Sequence, residues 1–375
     1  MFAKKNLIAV AALATLAVSA QAQSSVTLYG NLDVAVASLQ SLNIALDPAT
    51  GELTGSKDRA THVASSGLTE SFFGLKGQED LGGGLKAVFK LEGYVNVDTG
   101  SASSDFWGKN SFVGVSGGFG TLTLGNHETL FKTEGGAFNA FGNSAVVSPT
   151  VRLGLTNGFL SNILAVAADA DASVFGTGGS WKNSVAYTSP NLNGLTLSAQ
   201  YSAKEGANYG GAYAVAANYS AGPLALSAVY GQQKDVAEVY DIESATLPLP
   251  TVDAELKNRA FLLGASYDFG VAKAFAQYGQ QKWTQEGASG SIKPKFYQIG
   301  AIFPVTTAGS VHAAIGQNKT DLGGEDLKTT DISLGYHHAL SKRTSVYAAY
   351  INEKVKIAGE SESTNSYAVG LRHAF

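Results

Sequence analysis

The chain has 375 residues and a formal net charge of −4, with charged residues at only 15%, well under the roughly 25% usual for soluble globular chains. It carries no cysteine, so no disulfide framework or thiolate metal site is available. Its basic residues form no run or stripe, which argues against a nucleic-acid partner.

The first element is an export signal. Lys4 and Lys5 make the positive start, Leu7 to Ala20 form the apolar stretch, and Ala20-Gln21-Ala22 offers a small-residue cleavage site. The apolar stretch is short of the ~20 residues that a membrane-spanning helix needs. Cleavage after Ala22 divides the chain into a removed segment, 1–22, and one unit, 23–375. Loss of Lys4 and Lys5 moves the net charge from −4 to −6. Nothing in the mature chain resembles a transmembrane helix, so a membrane protein built from it must be a barrel.

From residue 25 onward the apolar pattern has a period of two. Leu195, Leu197, Ala199 and Tyr201 alternate with Thr196, Ser198 and Gln200; Ile332, Leu334, Tyr336, His338 and Leu340 alternate with Ser333, Gly335, His337 and Ala339. Such alternation places each set on its own face of a strand. In chain order the predicted strands are 25–38, 66–79, 84–98, 106–117, 119–127, 180–189, 194–204 and 210–220. The second half supplies 223–235, 256–269, 271–286, 292–304, 309–319, 328–340, 343–357 and 364–375. That makes sixteen strands, an even number with lengths suited to a tilted bilayer crossing.

The connections sort into two classes. Short ones lie at 79–84, 117–118, 189–194, 221–222 and 341–342; long polar ones lie at 39–65, 128–179 and 236–255. Short turns on one rim and long loops on the other describe an outer-membrane barrel. Tyr187, Tyr219, Tyr267, Phe269, Phe303 and Phe375 end strands near the short-turn rim, where an aromatic girdle belongs. The last strand ends on Phe375 and is expected to pair with the first, which leaves no open edge. A half-buried soluble sheet shares the alternation; the export signal, the loop asymmetry and the aromatic ends favour the barrel.

Several stretches then resemble one family. SSVTLYGNLDVAV at 24–36, FFGLKGQEDLGGGLKAVFKLE at 72–92, FVGVSGGFGTLTLGN at 112–126, NSVAYTSPNLNGL at 183–195, LSKRTSVYAAY at 340–350 and YAVGLRHAF at 367–375 are similar to Gram-negative general-diffusion porins of the beta-proteobacterial type. The resemblance implies an all-β, 16-stranded antiparallel transmembrane β-barrel with an inward-folded third loop. It also implies a homotrimer in the bacterial outer membrane, among lipid and lipopolysaccharide, that passes small hydrophilic solutes and ions. The third connection, 128–179, is several times longer than an ordinary loop and carries GGAFNAFGN at 135–143, whose aromatics could pack on the inner wall.

A pore needs fixed charges and a narrow point, with no catalytic group or cofactor. Parity puts Asp33, Lys76, Lys86, Lys90, Glu92, Lys182 and Arg372 on the face opposite the apolar row. Lysines at the bilayer midplane on the lipid face would cost about 2–4 kcal/mol. The third loop supplies Glu128, Lys132 and Glu134, and acidic groups facing a basic wall would set up a transverse field. In the resembled family arginine commonly stands where this chain has Phe72, Asn126 and, as a basic position, Ala186. Their loss implies a weakened anion preference, extending to mild cation preference. Rival readings are a substrate-specific channel, with Phe72, Phe112, Phe275 and Phe296 as a stacking track, and a secreted β-protein or adhesin. An enzyme is disfavoured: no catalytic constellation is evident, and His337 and His338 are consecutive and point to opposite faces, so they cannot chelate one metal together.

Overall fold

A computed structural model describes residues 25–46, 53–103, 105–153, 179–204, 209–240, 251–286, 290–321, 326–357 and 359–375. The export signal at 1–22 lies outside the described residues. The strands in chain order are β1 (Ser25–Leu46), β2 (Leu53–Ser65), β3 (Phe72–Gly82), β4 (Leu85–Asn96), β5 (Ser101–Ala102) and β6 (Asn110–Gly117). Next come β7 (Gly120–Glu128), β8 (Ser180–Thr188), β9 (Leu195–Ser202), β10 (Tyr209–Ala221), β11 (Leu224–Tyr240) and β12 (Thr251–Asp268). The last are β13 (Lys273–Gln285), β14 (Lys295–Pro304), β15 (Gly309–Asp321), β16 (Asp326–Ala339), β17 (Thr344–Ile357) and β18 (Glu360–Ala374). Two short helices, α1 (Leu130–Ala137) and α2 (Pro149–Leu153), lie between β7 and β8.

These strands make sixteen staves. β2 and β3 form one stave along β1: β2 pairs from Val34↔Ser65 to Leu46↔Leu53, and β3 from Ser25↔Gln78 to Asn31↔Phe72. The strap 66–71 interrupts that stave. β5 is a two-residue appendage on the end of β4. Closure comes from β1 against β18, in register from Asn31↔Ala374 to Ser38↔Tyr367, so the terminal strand has its partner.

Side-chain parity explains why the sheet closes this way. Val26, Leu28, Leu122, Leu124, Leu226, Ile332, Leu334, Val369 and Leu371 form an exposed apolar face. The alternate positions carry Thr123, Ser184, Gln200, Ser227, Gln277, Gln298 and Ser333, all buried. A soluble sheet would invert that order, whereas a bilayer rewards it. The turn between β3 and β4 requires left-handed backbone at Gly82, Gly83 and Gly84 (φ +84°, +62° and +81°), a region closed to most side chains.

Two of the long connections contain much more strand than their polarity predicts. The stretch 39–65 is largely the β1–β2 hairpin, and β11 and β12 extend to Tyr240 and from Thr251, taking up half of 236–255. Beyond the bilayer both faces of a hairpin are wet, so it needs no apolar alternation and the sequence pattern fades. The third connection differs again: α1 starts with Thr129 as N-cap, whose Oγ1 accepts from the Lys132 amide at 3.2 Å.

Candidate functional site

One register row organises the contacts of segment 129–153. Asn218, Ser227, Gly264, Gln277, Gln298, Gly316, Asp331 and Glu353 are successive cross-strand partners from β10 to β17. All lie on the face opposite the exposed apolar row, and the segment follows them. Glu134 accepts from Asn218 and Ser227; Gln277 Nε2 donates to the Gly135 carbonyl; Gln298 Nε2 donates to the Phe138 carbonyl. Gly264 leaves room for the Phe138 ring, which a Cβ would approach within 2.7 Å. His312 Nδ1 then donates to the Ala140 carbonyl at 2.7 Å, and Ser144 Oγ to the Gly67 carbonyl of the strap. Phe131, Phe138, Phe141 and Val147 are buried along this path, each contributing about 1.5–3 kcal/mol.

The start of the segment is locked by charge. Lys109 Nζ reaches Glu70 Oε2 at 2.8 Å and Glu128 Oε1 at 2.6 Å; Lys132 Nζ reaches Glu70 Oε1 at 2.6 Å and Glu128 Oε1 at 3.1 Å. Lys132 also donates to Tyr94 Oη at 2.6 Å. Burial works against the Lys132 ammonium, but Glu70, Tyr94 and Glu128 outweigh it and hold its pKa above the ordinary lysine value. Two ammoniums and two carboxylates leave the cluster neutral. Beside it Glu92 accepts from Tyr29 Oη and Asn110 Nδ2, both at 2.6 Å, and pairs with Lys90 at 3.1 Å.

The predicted site residues therefore divide. Lys76, Lys86, Lys90, Glu92 and Arg372 share the face opposite the apolar row: Lys76 lies over the Tyr29 ring at 4.5 Å, and Arg372 Nε donates to Asn31 at 2.7 Å. Asp33 is on that face but sealed. Its carboxylate accepts from the Tyr347 hydroxyl, the Leu68 and Thr69 amides and the Thr69 hydroxyl. Lys182 is a correction. Asn183 has left-handed backbone (φ +51°), so the two-residue period breaks and Trp181, buried and bonded to Gln233, takes the side of Ser184. Lys182 is 63% exposed and pairs with Asp105 at 2.6 Å.

The loop charges are brought together differently from the expected field. Glu128 and Lys132 neutralise each other with Lys109 and Glu70. Glu134 lies apart from any cation among the described residues. Sequence reasoning missed Lys109, Glu70, Tyr94 and Arg152. Lys109 and Glu70 fall inside the spans read as strand, 106–117 and 66–79, but the strands begin only at Asn110 and Phe72, so both sit outside the regular parity, Glu70 on the strap and Lys109 just ahead of β6. Arg152 lay further along the same loop, and its NH2 reaches Glu353 at 2.9 Å. Phe72, one of the arginine-replacing positions, packs edge-on against Tyr29 and under Lys109; Asn126 instead caps the Gly108 carbonyl.

Burial raises the pKa of Glu134 above its ordinary value near 4.5, against the opposing effect of its bonds from Asn218 and Ser227. The folded chain then holds this proton to higher pH than the unfolded chain, so the contribution of Glu134 to stability falls as pH rises above that value. Glu134→Gln should unfold at a higher temperature than wild type at pH 7, with the difference vanishing near pH 4. Asn218 Oδ1, unpartnered among the described residues, can accept from the new amide after the Asn218 amide turns over.

A closed antiparallel barrel with an apolar exterior and charges on its other face is a membrane channel of the outer-membrane kind. The sequence matches the family model described as Gram-negative porin over residues 9–357, and the chain belongs to that family. It is 34% identical over 348 residues to outer membrane porin protein 32 of Delftia acidovorans, covering 91% of this chain and 87% of the relative. It is 30% identical over 351 residues to the major outer membrane protein P.IB of Neisseria gonorrhoeae, covering 91% of each. The solved anion-selective porin from Comamonas acidovorans matches with a TM-score of 0.74 at 30% identity, over 94% of this chain and 100% of that one. The chain is an outer-membrane porin, of a family that forms channels and is not one of enzymes.

Proposed function

We propose that this porin lets small hydrophilic solutes and ions diffuse through a lumen lined by Lys76, Lys86, Lys90, Glu92 and Arg372, and narrowed by segment 129–153. The reading rests on one observation above all. The segment bonds Tyr94 on β4, Ser227 on β11 and Glu353 on β17, staves spread around a closed wall, which supports a path through the interior. A homotrimer embedded in lipid and lipopolysaccharide is the assembly we infer from family membership. Phe275 and Phe296 are buried, which disfavours a stacking track and a substrate-specific channel.

Selectivity follows from which charges are cancelled. Lys109 and Lys132 are neutralised by Glu70 and Glu128, and Lys90 by Glu92. Lys76, Lys86 and Arg372 have no ion pair among the described residues within 4.0 Å. A weak anion preference is the expected balance, without the extension to cations that loss of the arginines alone implies. Reversal potentials in a salt gradient across a planar bilayer test it. Wild type should fall modestly on the anion side, and Lys76→Gln/Lys86→Gln should move toward cations. A strongly selective wild type of either sign, or a double variant that does not move, contradicts the proposal.

A further inference from the structure

The outward-facing parity does not end with the apolar band. On β14 to β17 it runs on, at the long-loop rim, into lysines. Lys295, Lys319, Lys328 and Lys356 are successive cross-strand partners, all exposed. Lys354 stands on the same face of β17, two residues nearer the band, and Arg259 with its partner Lys282 continues the basic rim on β12 and β13. The acids on that face of β14 to β17, among the described residues, are Asp321 and Asp326, and Asp326 pairs with Lys319 at 2.7 Å. Lys295, Lys328, Lys354 and Lys356 have no ion pair among the described residues within 4.0 Å. Like charges directly opposite on neighbouring strands destabilise a sheet. A chain of formal net charge −4 thus concentrates unmet positive charge on one sector of its outer surface.

Two features say what that sector faces. Tyr278 and Tyr297 are exposed cross-strand partners on β13 and β14, and Tyr297 lies two residues from Lys295 on the bilayer side. Exposed tyrosines belong at headgroup level, and two residues are only about 7 Å along a strand, so the ammoniums stand among lipid phosphates. The rim is the one with the long loops, which is the outer side of an outer-membrane barrel. Beneath the row, the outer surface has an apolar hollow of about 860 Å3. Alanines create it: Ala301 pairs with Ala313, and Ala265 with Ala276. Ile299, Ile315, Ile332 and Tyr350 border it, and each lies four residues along its strand from Lys295, Lys319, Lys328 or Lys354. Basic row and apolar hollow are therefore two levels of the same staves.

We propose that this sector, β14 to β17, is a docking surface for a multiply phosphorylated glycolipid of the outer leaflet, of the lipopolysaccharide kind. The lysines take its phosphates and the hollow takes an acyl chain. The unmet lysines span three strand spacings, about 14 Å, which suits two phosphates on one headgroup better than a single phosphodiester. The inference rests on the embedding in lipopolysaccharide inferred above and gives that lipid a place on the wall.

The test uses the full mature chain refolded in non-ionic detergent without lipopolysaccharide, with purified diphosphoryl lipid A as the probe. Native mass spectrometry counts bound lipid and follows the titration. Wild type should bind saturably, more tightly than it binds monophosphoryl lipid A or phosphatidylglycerol, and more weakly as salt is added. Lys295→Gln/Lys328→Gln/Lys356→Gln should keep the folded, heat-modifiable band and bind about a hundredfold more weakly. Ala301→Trp/Ala313→Trp fills the hollow, keeps the lysines and should cost about tenfold. Equal lipid A binding by wild type and the lysine variant overturns the site, as does phosphatidylglycerol bound as tightly as lipid A. A tryptophan variant that keeps lipid A but loses its oligomeric state gives the hollow to a second copy of this chain, which also overturns the proposal. Conductance of the same preparations in phosphatidylcholine bilayers separates this surface from the channel reading. A wild type that conducts but ignores lipid A sinks the docking surface alone; one that binds lipid A but does not conduct upholds the surface and sinks the channel.

Discussion

Replacing Lys132 with methionine should destabilise the folded barrel by about 3 kcal/mol, the low end for removing one member of a buried ion cluster. Lys109 would be left alone against Glu70 and Glu128, and Tyr94 Oη would lose its donor. The low end applies because Glu70 keeps 26% of its side chain exposed and water shares part of the load. Methionine keeps the stem length and helix propensity, and Thr129 still caps α1, so the loss is electrostatic. The same change frees the start of segment 129–153 and should raise single-channel conductance. Lys132→Met/Glu70→Gln returns the cluster to one positive and one negative charge, and most of the lost stability should return. Denaturant unfolding of the four variants of this cycle measures the coupling. A double variant no better than the single one would show that packing, and not charge, holds the segment.

The barrel was legible because its signal is redundant. A two-residue period repeated through sixteen strands survives local error, and the same parity placed Lys76, Lys86, Lys90, Glu92 and Arg372 on one face. It failed at Lys182 because one left-handed residue, Asn183, shifts the count, and asparagine tolerates that backbone without announcing it. It could not separate a sealed side chain from an open one: Asp33 has the right parity, but the strap covers it. Strand ends beyond the bilayer were read as loop because nothing there demands alternation. The partners of Glu128 and Lys132 were hidden for a different reason. Glu70, Tyr94 and Lys109 meet them through strand register and through a strap out of pattern with the wall. Register across non-neighbouring strands is a property of closure, and a linear sequence does not display it.

That strap sets the second large effect. Asp33→Ala should cost about 3–5 kcal/mol, because several buried or half-buried donors lose a charged acceptor together. Two are the amides of Leu68 and Thr69, which have left the β1 ladder where β2 gives way to β3. Another is the Tyr347 hydroxyl, 2.6 Å from Asp33 Oδ1 across the closure of the barrel. Asp33→Asn keeps the shape and one acceptor oxygen, so it should lose about half as much. Tyr347→Phe removes only one donor and should cost about 1 kcal/mol. Asp33 touches no member of the Lys109–Glu70–Glu128–Lys132 cluster, yet it fixes the backbone that delivers Glu70 to it. Loosening the strap should therefore raise conductance in the same direction as Lys132→Met, and the two changes together should add less than their sum. Unfolding in denaturant and single-channel recording of Asp33→Ala, Lys132→Met and the pair decide the matter. Full additivity in conductance would separate the strap from the tether and leave Asp33 a purely structural residue.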